Sequence, residues 1–262
     1  MKRILIALLL GTILAGCDVF DKAAINEFEV ATKRWNAGDY QTAVTLYFAL
    51  VKGHPNSSKA DDALYWAGVT QFLYLGETEK SLQTLRLLLK RYPNRDMAPH
   101  AQWYIAQIYE LGYNDYQRAI EEYRKAAGYS NREVQEKSLY GLAECLFRIG
   151  KIEEAGDTWT QQVTIFPNGS QSRLAYFRLG TAAFSKGDIE KAKTFYRKTL
   201  ENSPDKELAV KAKFSLAGCF EAEDNLSEAL SIYREIEPEY PNHEAIQIKI
   251  QALETRIIKK RY

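Results

Sequence analysis

Residues 38–55 read Gly-Asp-Tyr-Gln-Thr-Ala-Val-Thr-Leu-Tyr-Phe-Ala-Leu-Val-Lys-Gly-His-Pro, and this stretch decides the fold. Gly38 tolerates the positive φ with which a preceding helix ends. Ala43 and Tyr47 are four apart and so share one face of a helix. Pro55 cannot continue that helix, because it lacks an N–H and its ring clashes with the preceding turn. The stretch therefore reads as turn, helix and stop.

The same order recurs along the chain. A small residue returns as Ala43, Ser81, Ala119, Ala155, Ala192 and Ala229, at spacings of 38, 38, 36, 37 and 37. Four residues after each comes a large apolar side chain: Tyr47, Leu85, Tyr123, Trp159, Tyr196 and Tyr233. Five before each stands a turn former, Gly38, Gly76, Asn114, Gly150, Gly187 or Asp224, and twelve after each stands Pro55, Pro93, Asn131, Pro167, Pro204 or Pro241. A fixed period in this range is the signature of stacked helical repeats. Each unit is a helix A, a tight turn, a helix B and a Pro-led loop. The small residue lets A and B approach, and the large one fills the space beside it.

Composition agrees with a compact, ordered chain. The sequence has 262 residues, 46 % of them hydrophobic, and only 15 Gly and 7 Pro. The 35 basic against 34 acidic residues argue against a polybasic nucleic-acid binder. Three Cys are too few for a disulfide scaffold, and three His leave little stock for a metal site.

The stretch Gly38-Asp39-Tyr40-x-x-Ala43-x-x-x-Tyr47 resembles the tetratricopeptide repeat, and the resemblance covers residues 24–241. It implies an all-α fold, a right-handed α/α superhelix of about six helix-turn-helix repeats. The period exceeds the usual repeat of about 34 residues, and the surplus follows the Pro, in residues 55–63 and 93–98. Residues 242–262 are expected to form a capping helix, since Ile246, Ile250, Leu253 and Ile257 recur on one face.

At the N-terminus, Lys2 and Arg3 precede an apolar run that ends in Leu14-Ala15-Gly16-Cys17. A short apolar run behind positive charge reads as a signal peptide, and it is too short to span a bilayer comfortably. Leu-Ala-Gly-Cys resembles the bacterial lipobox, which implies a signal peptide of residues 1–16, a mature chain that begins at lipid-modified Cys17, and a tether of residues 17–23. Loss of Lys2 and Arg3 changes the formal charge from +1 to −1, so acyl chains rather than electrostatics would hold the chain to a membrane. Such repeats behind a lipobox look like the BamD-type outer-membrane lipoproteins and the periplasmic repeats of CpoB. The start of the repeats close to Cys17 is similar to BamD. The even spacing of six repeats and Asp18 depart from that pattern, and Asp18 resembles the residue that enterobacterial sorting reads as inner-membrane retention. The resemblance implies a lipid-anchored, periplasm-facing scaffold that binds protein partners, in outer-membrane protein assembly. Alternatives are a coordinator of cell-wall synthesis and envelope constriction, or a regulatory subunit for a peptidoglycan hydrolase or pilus secretin.

With the small residue numbered 20, the resemblance places positions 2, 5, 9, 12 and 13 of helix A on the inner face. Position 5 is aromatic throughout, as Phe28, Trp66, Tyr104, Tyr140, Phe177 and Phe214, and position 12 supplies Trp35, Leu73, Leu111, Phe147 and Phe184 before Glu221 breaks the series. Rings on one face suit an apolar groove for an extended or helical peptide. The same stripe also suits mutual packing of neighbouring A helices.

No Gly-rich phosphate loop, His-Glu-x-x-His, Gly-x-Ser-x-Gly or Cys-x-x-Cys occurs in the sequence. A non-enzyme without metal or cofactor is therefore expected, with no nucleic acid or small-molecule substrate. Cys145 and Cys219 share position 10 two repeats apart, too far in a regular stack for a disulfide, and are expected to be buried and free.

Overall fold

A computed structural model describes residues 21–201 and 205–261, and these form thirteen α-helices and no strand. The A helices are α1 (21–36), α3 (Ala60–Leu73), α5 (Met97–Gln107), α7 (Arg132–Arg148), α9 (Ser172–Ser185) and α11 (Lys206–Ala222). The B helices are α2 (Tyr40–Gly53), α4 (Thr78–Arg91), α6 (Tyr116–Ala127), α8 (Ile152–Ile165), α10 (Ile189–Leu200) and α12 (Leu226–Ile236), and α13 (His243–Arg261) closes the chain. The signal peptide, Cys17 and Pro204 lie outside the described residues. Residues 21–23, assigned above to the tether, are already helical.

Local chemistry accounts for the repeating turn. All six turn formers have positive φ: +79° at Gly38, +66° at Gly76, +54° at Asn114, +82° at Gly150, +79° at Gly187 and +60° at Asp224. The residue after each opens helix B, and where it is Asp or Asn its side chain accepts from a backbone N–H three residues on. Asp39 takes Thr42 N, Asp115 takes Arg118 N, Asp188 takes Lys191 N and Asn225 takes Glu228 N. Gly-Asp is thus one device in two parts, a left-handed stop followed by an N-cap. Asn131, the exception to the Pro rule, caps α7 by accepting from Val134 N at 3.0 Å. The surplus after the Pro is a real turn at 55–59 and 93–96, and the residues that follow join α3 and α5. In the third repeat α5 runs on into a π-turn, Ile108–Gly112.

The chain divides into two compact units, one ending at Ser138 and one beginning at Leu139, with the division inside α7. In both units the recurring small residues are fully buried, and so are Tyr47, Leu85, Tyr123, Trp159, Tyr196 and Tyr233. Each such ring or isobutyl group contributes on the order of 2 kcal/mol of burial. The buried phenols are hydrogen-bonded back to helix A of their own repeat. Tyr47 pairs with Thr32 at 3.2 Å, Tyr123 donates to Glu110 at 2.7 Å, Tyr196 to Thr181 at 3.4 Å and Tyr233 to Glu221 at 2.7 Å. Gly180 lets α9 and α10 touch, since a Cβ there would lie 2.7 Å from the Tyr196 ring.

In the second unit α13 lays Ile246, Ile250 and Leu253 on Tyr233 and Ile236, with Ile257 packed beside them. Cys145 and Cys219 are fully buried, and burial pushes the Cys219 thiol up to about 11.

Candidate partner-binding face

In the first unit the position-5 rings sit half-buried at the seams between helices. Phe28 packs on Tyr47 with ring centroids 5.4 Å apart, and the Lys59 ammonium lies 5.4 Å from the Phe28 ring. Trp66 meets Trp35 of the preceding A helix at 5.6 Å, and Trp35 also touches Tyr40 at 5.8 Å and Tyr74 at 5.3 Å. Trp35 Nε1 donates to Thr70 Oγ1 at 3.0 Å, which fixes the indole between α1 and α3. Tyr104 meets Tyr65 of α3 at 5.7 Å. Burial raises the pKa of both phenols, and the hydrogen bond from Tyr65 to Tyr104 raises that of Tyr65 further. His100, against the Tyr65 ring, is held below the usual imidazole range by burial.

The second unit repeats the arrangement with different neighbours. Phe177 packs on Tyr196 at 5.7 Å, and Phe214 on Tyr233 at 5.2 Å and on Tyr240 at 5.1 Å. Tyr140 lies beside an ion pair in which Arg178 of α9 grips Glu144 of α7 through two N–H···O bonds of 2.8 Å. Burial first, and the Glu144 carboxylate second, push the Tyr140 phenol up to about 12. Such forks are the strongest geometry open to an arginine and a carboxylate.

Position 12 behaves differently. Leu73 is 52 % exposed, Leu111 60 %, Phe147 40 % and Phe184 38 %, while Trp35 is drawn into its aromatic cluster. Tyr74 and Tyr113 are also largely exposed beside them in the first unit. The two positions that one helical stripe places together therefore separate, with position 5 at the seam and position 12 at the surface. Seven residues, two helical turns, separate the two positions along each A helix, and the side chains differ in exposure accordingly.

Glu221, where the series breaks, holds helix α13. It accepts from Tyr233 and pairs with Lys249 at 2.9 Å and Arg256 at 3.4 Å. Lys260 pairs in turn with Asp224, so basic residues of α13 are engaged within the unit. Sequence reasoning missed this anchor, the Glu144–Arg178 fork, and the parts of Tyr40, Tyr65 and Tyr74 in the aromatic seam. Of these, only the departure of Glu221 from an apolar series was a visible signal. Among the described residues, no group of three or more His, Cys, Asp or Glu could hold a metal ion.

Two tetratricopeptide repeat models match the chain, one at residues 62–95 and the other at 108–170 and 177–244, the latter covering half of it. The chain belongs to the tetratricopeptide repeat family, whose members are in general non-catalytic scaffolds for protein–protein interaction. It is 28 % identical over 123 residues to the TPR repeat-containing protein MJ1428 of Methanocaldococcus jannaschii, a match that covers 46 % of this chain and 20 % of that protein. The chain thus spans about a fifth of that relative's length. Among solved structures, Pseudomonas aeruginosa PilF superposes with a TM-score of 0.66 at 11 % identity, over 89 % of this chain and 99 % of its own. PilW, described as a widely conserved type IV pilus biogenesis factor, gives 0.61 at 14 % identity, over 87 % of this chain and 98 % of its own. The peptide-binding protein YrrB gives 0.52 at 18 % identity, over 72 % of this chain and 91 % of its own. At these identities the likeness is one of fold.

Proposed function

We propose that the protein is a lipid-anchored scaffold of a bacterial envelope, held by acyl groups on Cys17 and facing the periplasm, which binds segments of partner proteins on its A-helix faces. The observation that carries the binding role is the exposure of Leu73, Leu111, Phe147 and Phe184 at one recurring position of the A helices. Apolar side chains left at the rim of an ordered aromatic seam offer a partner preformed contacts, with little ordering cost on this side. On the same A helices the position-5 rings are half-buried, Phe28, Trp66 and Tyr104 in the first unit and Tyr140, Phe177 and Phe214 in the second, with Trp35 packed on Trp66. The partner is a polypeptide with apolar anchors at spaced positions, and the scaffold supplies no chemistry of its own.

Within the envelope, the resemblance of leader and repeats to BamD-type lipoproteins supports a role in outer-membrane protein assembly. A second reading, a subunit that supports a pilus secretin, is favoured by the likeness in fold to PilF and PilW along nearly their whole lengths. Depletion of the protein separates the two. Loss of folded barrels, read by heat-modifiable mobility on gels, supports the first reading. Normal barrels with loss of secretin multimers supports the second. Normal barrels and normal secretins contradict both.

A further inference from the structure

The outer face of the first unit carries an open cleft of about 660 Å³ where α2, α3 and α4 meet. Its floor is apolar, from Phe48, Val51, Leu64 and Leu87, and Lys52 and Arg91 stand on its rim beside Pro55. Among the described residues neither cation has an anionic partner, unlike Lys59, which pairs with Asp62 at 3.1 Å, or Arg95, which pairs with Asp61 at 3.3 Å. Two free cations over an apolar floor complement an amphipathic anion.

The start of the described chain is fastened to the same loop. The Asp21 carboxylate accepts from Ser58 N at 2.7 Å and from the Ser58 hydroxyl at 2.9 Å, and Ser58 lies in the turn that begins at Pro55. Arg95 ties the turn further by donating to the Ser57 carbonyl at 2.6 Å. Only Asp18, Val19 and Phe20 separate Asp21 from Cys17. Fully extended, those steps span at most about 14 Å. An acyl anchor on Cys17 therefore keeps the bilayer surface within about that distance of the loop at the cleft's rim. The A-to-B turns of this unit instead carry the carboxylates Asp39, Glu77 and Asp115.

Resting on the reading of Cys17 as lipid-modified, we propose that this cleft takes a phospholipid of the anchoring bilayer, with its phosphate between Lys52 and Arg91 and its glycerol and upper acyl carbons against Phe48 and Leu87. The acyl anchor supplies attachment, and the cleft supplies orientation. It turns the B-to-A loops of the first unit toward the membrane and leaves the A-helix face open to partners. A peptide carboxylate would meet the same two cations, but nothing brings one to this edge as the tether brings the bilayer.

The test uses the full chain purified from membranes and reconstituted into vesicles of phosphatidylethanolamine and phosphatidylglycerol. A photo-reactive p-benzoylphenylalanine replaces Phe48 in one sample and Tyr113, in an A-to-B turn, in the other. Mass spectrometry of the N-terminal peptide reads the state of Cys17 in the same samples. The proposal expects phospholipid adducts at position 48, few at 113, and a yield that falls about fivefold with each of Lys52→Gln and Arg91→Gln. Both cations are exposed, so circular dichroism should show unchanged folding. Acylated Cys17 with no phospholipid adduct at 48, with equal adducts at both positions, or with a peptide trapped at 48 overturns the cleft assignment alone. Unmodified Cys17 overturns the anchor, and this proposal with it.

Discussion

The carboxylate of Glu221 and the buried hydroxyl of Tyr233 lie 2.7 Å apart, one from helix A and one from helix B of the last repeat. The same carboxylate faces Lys249 and Arg256 of α13. A single side chain thus joins the three helices that end the stack. Where earlier repeats leave an apolar residue at the rim, the last one uses the position to fasten its cap.

Glu221→Leu should cost about 1–3 kcal/mol, because it strands the Tyr233 hydroxyl in a buried site. Adding Tyr233→Phe should recover much of that loss, since both polar partners are then gone. Urea unfolding of the two single variants and the double variant measures the coupling. Strict additivity of the two changes would contradict the account.

Alkaline pH should unfold the protein. Burial raises the phenol pKa of Tyr47, Tyr196 and Tyr233 above the ordinary value of 10.0. The folded state therefore keeps protons that the unfolded chain loses. The stabilisation is fully present below about pH 10 and declines as pH rises, by about 1.4 kcal/mol per pH unit for each phenol still protonated in the fold. Denaturant midpoints across alkaline pH, with phenolate absorbance recorded alongside, should show ionisation coincident with unfolding. Ionisation of these phenols in a chain that stays folded would contradict their burial.

Arg178→Leu should destabilise the second unit by about 2 kcal/mol by leaving the Glu144 carboxylate unpaired. The magnitude sits below that of a fully buried pair because the Arg178 side chain is partly open to water. Arg178→Lys should recover charge but not the two-bond fork, and so only part of the loss. Calorimetric melting of both variants checks the order. Equal melting of Arg178→Leu and the parent chain would mean that the fork contributes nothing.

Seam and rim should respond differently to substitution. Phe177→Ala should cost about 2–3 kcal/mol, below the full value for a core phenylalanine because the ring is half-buried. Leu111→Asp and Phe184→Asp should stay within about 0.5 kcal/mol of the parent in stability, as exposed sites do. Thermal melting reads all three variants.

Much of this fold follows from residues close in sequence. Gly38, Gly76, Asn114, Gly150, Gly187 and Asp224 are turn stops because positive φ restricts residue choice locally. Ala43 and Tyr47 identify a buried helical face because their spacing alone sets the direction of their side chains. The division between seam and rim was not legible, because it depends on which rings of other helices reach position 5, contacts made between residues far apart in sequence. Nor was the Glu144–Arg178 fork, whose partners come from different repeats. Lys52 and Arg91 lie on separate helices and far apart in sequence, and only the packing of α2 and α4 against α3 makes them the rim of one cleft. The π-turn at Ile108–Gly112 likewise leaves no mark in the repeat spacing, because the distance from Tyr104 to Ala119 matches that in the other repeats.

The central claim, a partner held on the A-helix face, is tested most directly by photo-crosslinking in cells. The photo-reactive residue stands in place of Leu111, with the exposed B-helix residue Gln83 as control and mass spectrometry of the trapped species. The account expects a defined envelope protein captured from position 111 and not from 83. No adduct at 111, or the same adducts at both positions, would contradict it and leave the aromatic seam as packing alone.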